Sequence, residues 1–128
     1  MNKEFVPYDI ALAMKELGFD EDCLGVYYPD LSDNVEPIPS NTFKNEAFIK
    51  KNWKKAPLYQ QAFRWFREKY NIDARFHTYT HHKEGVRTDW MWDYIDGKKT
   101  SFDGHEKSDK EAQDACLRKL IEIVEENL

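Results

Sequence analysis

The chain is poor in cysteine, glycine and proline, and it contains no long apolar run. Its 128 residues hold 2 Cys, 5 Gly and 5 Pro. Two thiols, Cys23 and Cys116, are too few for a disulfide framework, so the fold must rest on a core of its own and suits a reducing cytoplasm. So few glycines leave little backbone freedom for a phosphate-cradling loop. No apolar stretch approaches the ~18 residues of a membrane span. Met1-Asn2-Lys3-Glu4-Phe5 also lacks the apolar stretch of a signal peptide. The expectation is a cytoplasmic protein that does not enter a membrane. Signatures of chemistry are missing as well: there is no Cys-x-x-Cys, His-Glu-x-x-His, Gly-x-Ser-x-Gly, P-loop or calcium loop. No catalytic residue, metal or cofactor is assigned, and the chain reads as a non-enzyme.

Aromatics and charges are abundant. Aromatic residues make up 15% of the chain, with 8 Phe, 7 Tyr and 4 Trp, and charged residues 34%. The charged share exceeds the usual ~25%, which points to a polar surface around an aromatic core. The length is enough for one compact domain over 1–128 with an unstapled core. A net charge of −5 conceals segregation: residues 1–39 carry −7, residues 40–87 carry +7 and residues 88–128 carry −5. Opposite signs can cover one another in the fold. Alternatively, the basic middle forms a face for nucleic acid or for an acidic protein.

Periodicity and punctuation predict an α+β fold. Pro7 to Leu17 reads as a short helix with Ile10, Ala13, Met14 and Leu17 in one stripe. Gly18 suits its C-terminal cap, and Phe19 stands where a Schellman motif sets an apolar residue against Met14. Cys23 to Tyr28 reads as a strand, Pro29–Asn34 as a turn-rich loop, and Val35–Ile38 as an edge strand limited by Pro37 and Pro39. Residues 40–56 have weak periodicity, with a short helix possible over Thr42–Asn52. Pro57 to Tyr70 is a helix with Tyr59, Ala62, Phe63, Phe66 and Tyr70 on one face and Arg64, Arg67 and Lys69 off it. Strands follow over 74–81, from Val86 to Ile95, and from the Asp96-Gly97 turn to about Phe102. Ser108 and Glu111 form a capping box that opens the last helix. Its apolar face holds Ala112, Ala115, Cys116, Leu120, Ile123 and Val124. The chain thus divides into an N-terminal part, 1–56, and an α-β-β-β-α core, 57–128. The core is an antiparallel sheet of three strands or slightly more with helices on one face. Val86, Thr88, Trp90, Trp92 and Tyr94 share a strand face that reads as core, or otherwise as a base-stacking or partner surface.

The candidate binding residues lie mostly in the basic middle. In Lys50-Lys51-Asn52-Trp53-Lys54-Lys55, four ammonium groups around an indole can grip a phosphate backbone while the ring stacks on a base. Arg64 and Arg67 extend this patch within segment 44–69. The same cluster, or Tyr27 and Tyr28 as exposed aromatics, can anchor an unidentified protein partner. Asp89 and Asp93 share a strand face about 13 Å apart at ~3.3 Å per residue, and read as solvated charges too distant for paired acid–base work. His77 and His81 are separated in the same way and do not suit one metal ion.

Three stretches carry a resemblance. They are Phe5-Val6-Pro7-Tyr8 with Lys15-Glu16-Leu17-Gly18-Phe19-Asp20-Glu21, then Gln61-Ala62-Phe63-Arg64-Trp65-Phe66-Arg67-Glu68-Lys69-Tyr70. The third is Glu111-Ala112 with Ala115-Cys116-Leu117 and Lys119-Leu120-Ile121-Glu122-Ile123-Val124. Together they resemble a family of small uncharacterised proteins of Bacteroidetes genomes and their phages, which implies a phage or mobile-element origin and no particular chemistry. The element order from Pro57 onward is similar to the double-stranded RNA-binding domain. That family opens its last helix with a Lys-Lys-x-Ala-Lys run. The matching Asp109-Lys110-Glu111-Ala112-Gln113 keeps one lysine of three, and its acids would repel phosphate. The function expected is a non-enzymatic accessory protein acting by protein–protein contact. The alternative is nucleic-acid binding through segment 44–69.

Overall fold

The structure is a computed structural model that describes residues 4–27, 37–39, 54–81, 87–97 and 99–127. It is α+β and forms two units, residues 1–62 and 63–128, divided within the second helix. The expected helix over Thr42–Asn52 and the loops 29–34 and 82–85 lie outside the described residues, apart from the chain positions that border them.

In the first unit, helix α1 spans Tyr8–Glu16 and ends as its sequence dictates. Gly18 takes φ 102, its N–H bonds Lys15 O at 3.0 Å, and the Phe19 N–H bonds Met14 O at 3.0 Å. These two bonds are those of a Schellman motif, and both Phe19 and Met14 are buried. Strands β1 (Gly25–Tyr27), β2 (Ile38–Pro39) and β3 (Lys54–Ala56) form an antiparallel sheet in the order β2-β1-β3. The proline-bearing β2 takes an edge, where a missing N–H costs no ladder bond. Strand β3 lies in a stretch whose composition gives no strand signal. It forms because β1 supplies its partner, with Val26 opposite Lys55. Val6, Ile10, Met14, Val26, Tyr27 and Ala56 are buried in this unit.

Helix α2, Tyr59–Tyr70, is stopped by Asn71 at φ 58, a left-handed conformation that asparagine tolerates. The chain turns there into the second sheet, which runs β4 (Ile72–His81), β5 (Arg87–Asp96) and β6 (Lys99–Glu106) in sequence order, all antiparallel. β4 pairs with β5 without interruption from Ile72↔Asp96 to His81↔Arg87. Because Asp96 pairs with Lys99, Asp96 belongs to the strand and not to the turn, which follows at Gly97 with φ 66. β6 continues to Glu106, well past Phe102.

Helix α3, Asp109–Glu126, packs chiefly on β5 and β6 and closes one face of the sheet. Ser108 Oγ accepts from the Glu111 N–H at 3.2 Å. The Glu111 carboxylate reaches back one residue beyond the cap, to the Lys107 N–H at 3.3 Å. Trp92 and Tyr94 are buried on this covered face and Trp90 is half-buried, so the aromatic strand is core at Trp92 and Tyr94. Phe76, opposite Trp92, meets Phe63 of α2 edge-to-face at 5.2 Å. Two features of the helix faces differ from the periodic reading. Trp65 is buried beside Phe66 (ring centroids 5.0 Å apart), and Leu117 and Ile121 are buried on α3. Burial on each helix thus extends beyond a single stripe.

The ladder between β5 and β6 shifts register at Trp92/Asp93, so that Trp92 faces Gly104 and Asp93 faces Phe102. A Cβ on Gly104 would overlap the indole of Trp92. Gly104→Ala is expected to destabilise the protein by about 1–3 kcal/mol, because the added Cβ forces a buried indole to shift. Urea unfolding monitored by tryptophan fluorescence measures this; an unchanged midpoint would show that the indole moves aside at no cost.

Candidate functional site

The basic residues singled out by sequence divide into three groups. Lys50, Lys51, Trp53 and Tyr28 lie outside the described residues. Lys54 and Lys55 alternate on β3 and meet opposite environments. The Lys55 ammonium donates to Asp20 O at 2.5 Å and stands 3.9 Å from the Asp22 carboxylate. Lys54 lies beside Lys15 of α1, whose pKa is lowered by burial first and then by the neighbouring Lys54 ammonium. Arg64 and Arg67 are exposed on α2, and Arg67 stands 3.8 Å from Asp73 of β4. Part of the basic middle is thus matched locally by acids, as the charge-covering reading expects.

Tyr27 requires a correction. It is not an exposed aromatic but a core side chain, 2% exposed. Its hydroxyl donates to Val6 O at 2.5 Å and its ring meets Tyr8 edge-to-face. The physical reason is β1 itself: Gly25, Val26 and Tyr27 are all buried, so this short strand has no solvated face.

Asp93 is the second correction. Read from sequence as a solvated strand charge, it is the buried charged residue among those described, 7% exposed. The carboxylate is held from β4. Arg75, its register partner, donates from Nε to Oδ1 at 2.8 Å and from Nη2 to Oδ2 at 3.0 Å. His77 Nε2 stands 3.4 Å from Oδ2. Hydrogen bonding to Asp93 raises the Arg75 pKa further above its ordinary value. Arg75 and His77 themselves remain 43% and 51% exposed at their side chains. One strand over, Met91 pairs with both His77 and His105, and His105 is exposed. The sheet face opposite the helices therefore presents a guanidinium and two imidazoles around a carboxylate that is itself withdrawn. Chemically, this is a surface of oriented hydrogen-bonding groups. The bidentate Arg75 bond engages both oxygens of the Asp93 carboxylate. Among the described residues no three His, Cys, Asp or Glu side chains gather to hold a metal ion.

The sequence carries one signal for this cluster, the alternation that sets Asp93 opposite in face to Trp92 and Tyr94. The pairing with Arg75 needs the register of β4 against β5, which no local pattern encodes.

Two outcomes test the local chemistry. Arg75→Ala is expected to lower the urea midpoint more than Arg67→Ala, since it strands a buried carboxylate whereas Asp73 is half exposed and can be solvated. Equal midpoints would mean that Asp93 gains water at no cost. In the first unit, burial pushes the Cys23 thiol from 9.0 up to about 12, against the pull of Lys55 and with the push of Glu21 and Asp22. The folded thiol keeps its proton above pH 9.0, where the unfolded one loses it, so this group lowers stability as pH rises from 9.0 towards about 12. At about pH 8 the thiolate fraction is reduced by about a thousandfold. Reaction with a disulfide reagent is expected to be slow in the native protein and rapid in urea; fast native labelling would contradict the burial.

No family model, no curated protein and no solved structure matches this chain.

Proposed function

We propose that the protein is a non-enzymatic accessory protein of phage or mobile-element type that works by binding another protein. Its contact surface is the sheet face around Asp93. One observation carries the reading: the Arg75 guanidinium is fixed in a bidentate bond to a buried carboxylate while staying partly exposed. A long side chain held in this way loses little freedom on binding, and arginine is favoured at interfaces. His77 and His105 flank it with further donors and acceptors, and half-buried Met91 lies between them. The origin in a phage or mobile element rests on the three stretches of family-like sequence.

Nucleic-acid binding by segment 44–69 is the second reading. Lys54 beside Lys15 favours it, because two adjacent ammonium groups gain from an anion between them. Lys55 speaks against it, since its charge is already engaged by Asp20 and Asp22.

Capture from a Bacteroidetes lysate separates the two. The tagged chain is expected to retain a discrete protein after nuclease treatment, and the double variant His77→Ala/His105→Ala to lose it. Capture that survives both substitutions overturns the sheet-face surface. Material that disappears with nuclease and elutes as salt rises, and that is lost on Lys54→Ala/Lys55→Ala, moves the function to nucleic acid.

A further inference from the structure

We infer that the second unit has a separate site that takes a lysine side chain from a basic segment of a partner protein. The site is a cleft of about 170 Å³ lined by Tyr70, Ile72, Asp96, Ile123, Val124 and Asn127. It lies where α2 ends, β4 begins, β5 ends and α3 ends, away from the Arg75–Asp93 pair at mid-strand.

Three features of the cleft match a lysine. Its floor is apolar: Ile72 and Val124 are buried and Ile123 is half-buried, which suits an aliphatic stem. One wall is the ring of Tyr70. Lys69 Nζ already lies 5.5 Å from that ring's centroid, so the ring contributes packing surface for the stem and its cation–π capacity is taken. The rim is electronegative. Asp96 is exposed, and α3 brings the negative end of its dipole with exposed Glu125 and Glu126 and no basic residue in its last turn.

Asn127 orients the rim further. Its N–H bonds Val124 O at 3.1 Å and its Nδ2 bonds Ile123 O at 2.8 Å. The amide nitrogen is thereby turned to the helix, which leaves the side-chain oxygen as the acceptor. A single lining carboxylate suits a point-like ammonium better than a planar guanidinium, which prefers a two-oxygen fork in its own plane. The occupant is therefore lysine, its stem on Tyr70, Ile72, Ile123 and Val124 and its ammonium between Asp96 and Asn127.

The test titrates the full chain with an N-acetylated pentalysine amide, read by methyl and amide NMR shifts, against the same peptide acetylated at every Nε. Saturable shifts at Ile72, Ile123, Val124 and the Asn127 side-chain amide are expected with the charged peptide. Acetylation is expected to weaken binding by about fivefold, as loss of an ion pair would. Asp96→Asn should weaken the charged peptide similarly. His77→Ala/His105→Ala should leave it unchanged, so failure here is distinct from failure of the sheet-face surface. Equal affinity for both peptides, shifts confined to acidic residues elsewhere such as Asp20 and Asp22, or no shifts at all would overturn the site. The acetylated peptide keeps the test decisive if Asp96→Asn disturbs the hairpin.

Discussion

Trp92 and Asp93 are neighbours on the central strand, and the second unit is organised around the opposite needs of their side chains. The indole must leave water and the carboxylate must be compensated if it does. Alternation sends them to opposite faces, and the register shift between them lets β6 serve both. Gly104 leaves a space for the indole that no side chain would permit. On the other face Arg75 replaces the water that Asp93 has lost. The helix-covered core and the polar surface are thus two sides of one strand. A change at this point is felt on both.

Three other ion pairs are of a different kind. Lys55 with Asp22, Arg67 with Asp73, and Lys119 with Glu122 are separated by 3.7–3.9 Å and have at least one well-exposed member. Such pairs contribute ~0.2–1 kcal/mol and are screened by salt. They dispose of charge without specifying the fold. Arg75–Asp93 is distinct because one partner is buried: the interaction matters less for what it adds than for what its loss would expose. The two-point bond also fixes the orientation of the Arg75 guanidinium on its face of the sheet.

The two candidate surfaces follow from where elements end and where they are covered. α3 covers one sheet face, leaving the polar one with its guanidinium and imidazoles. At the other extreme, α2, β4, β5 and α3 bring their ends together, and helix and strand termini do not fill space as completely as their middles do. The result is a small cleft whose charge is set by a helix dipole and Asp96. Nothing comparable is encoded by any single segment.

The amino-acid sequence by itself determined the local elements. The stop at Gly18, the Ser108–Glu111 cap and the helical repeat of α1, α2 and α3 act over four residues or fewer, though which residues of each helix are buried was decided by packing. They hold in the structure for that reason. Aromatic alternation on β5 was legible in the same way, as was the order α-β-β-β-α. Tertiary structure decided what depends on residues far apart in the chain. Strand β3 exists because β1 pairs with it. Tyr27 is buried because its strand has no solvated side, and Asp96 belongs to the strand because its pairing with Lys99 carries the register that far. The candidate site lies wholly in this second class. Arg75 and Asp93 are 18 positions apart, and only the β4–β5 register makes them opposite. The cleft likewise needs residues from 70 to 127 brought to one end. Side-chain period is local information, whereas register and burial are set by free energy summed over the whole fold.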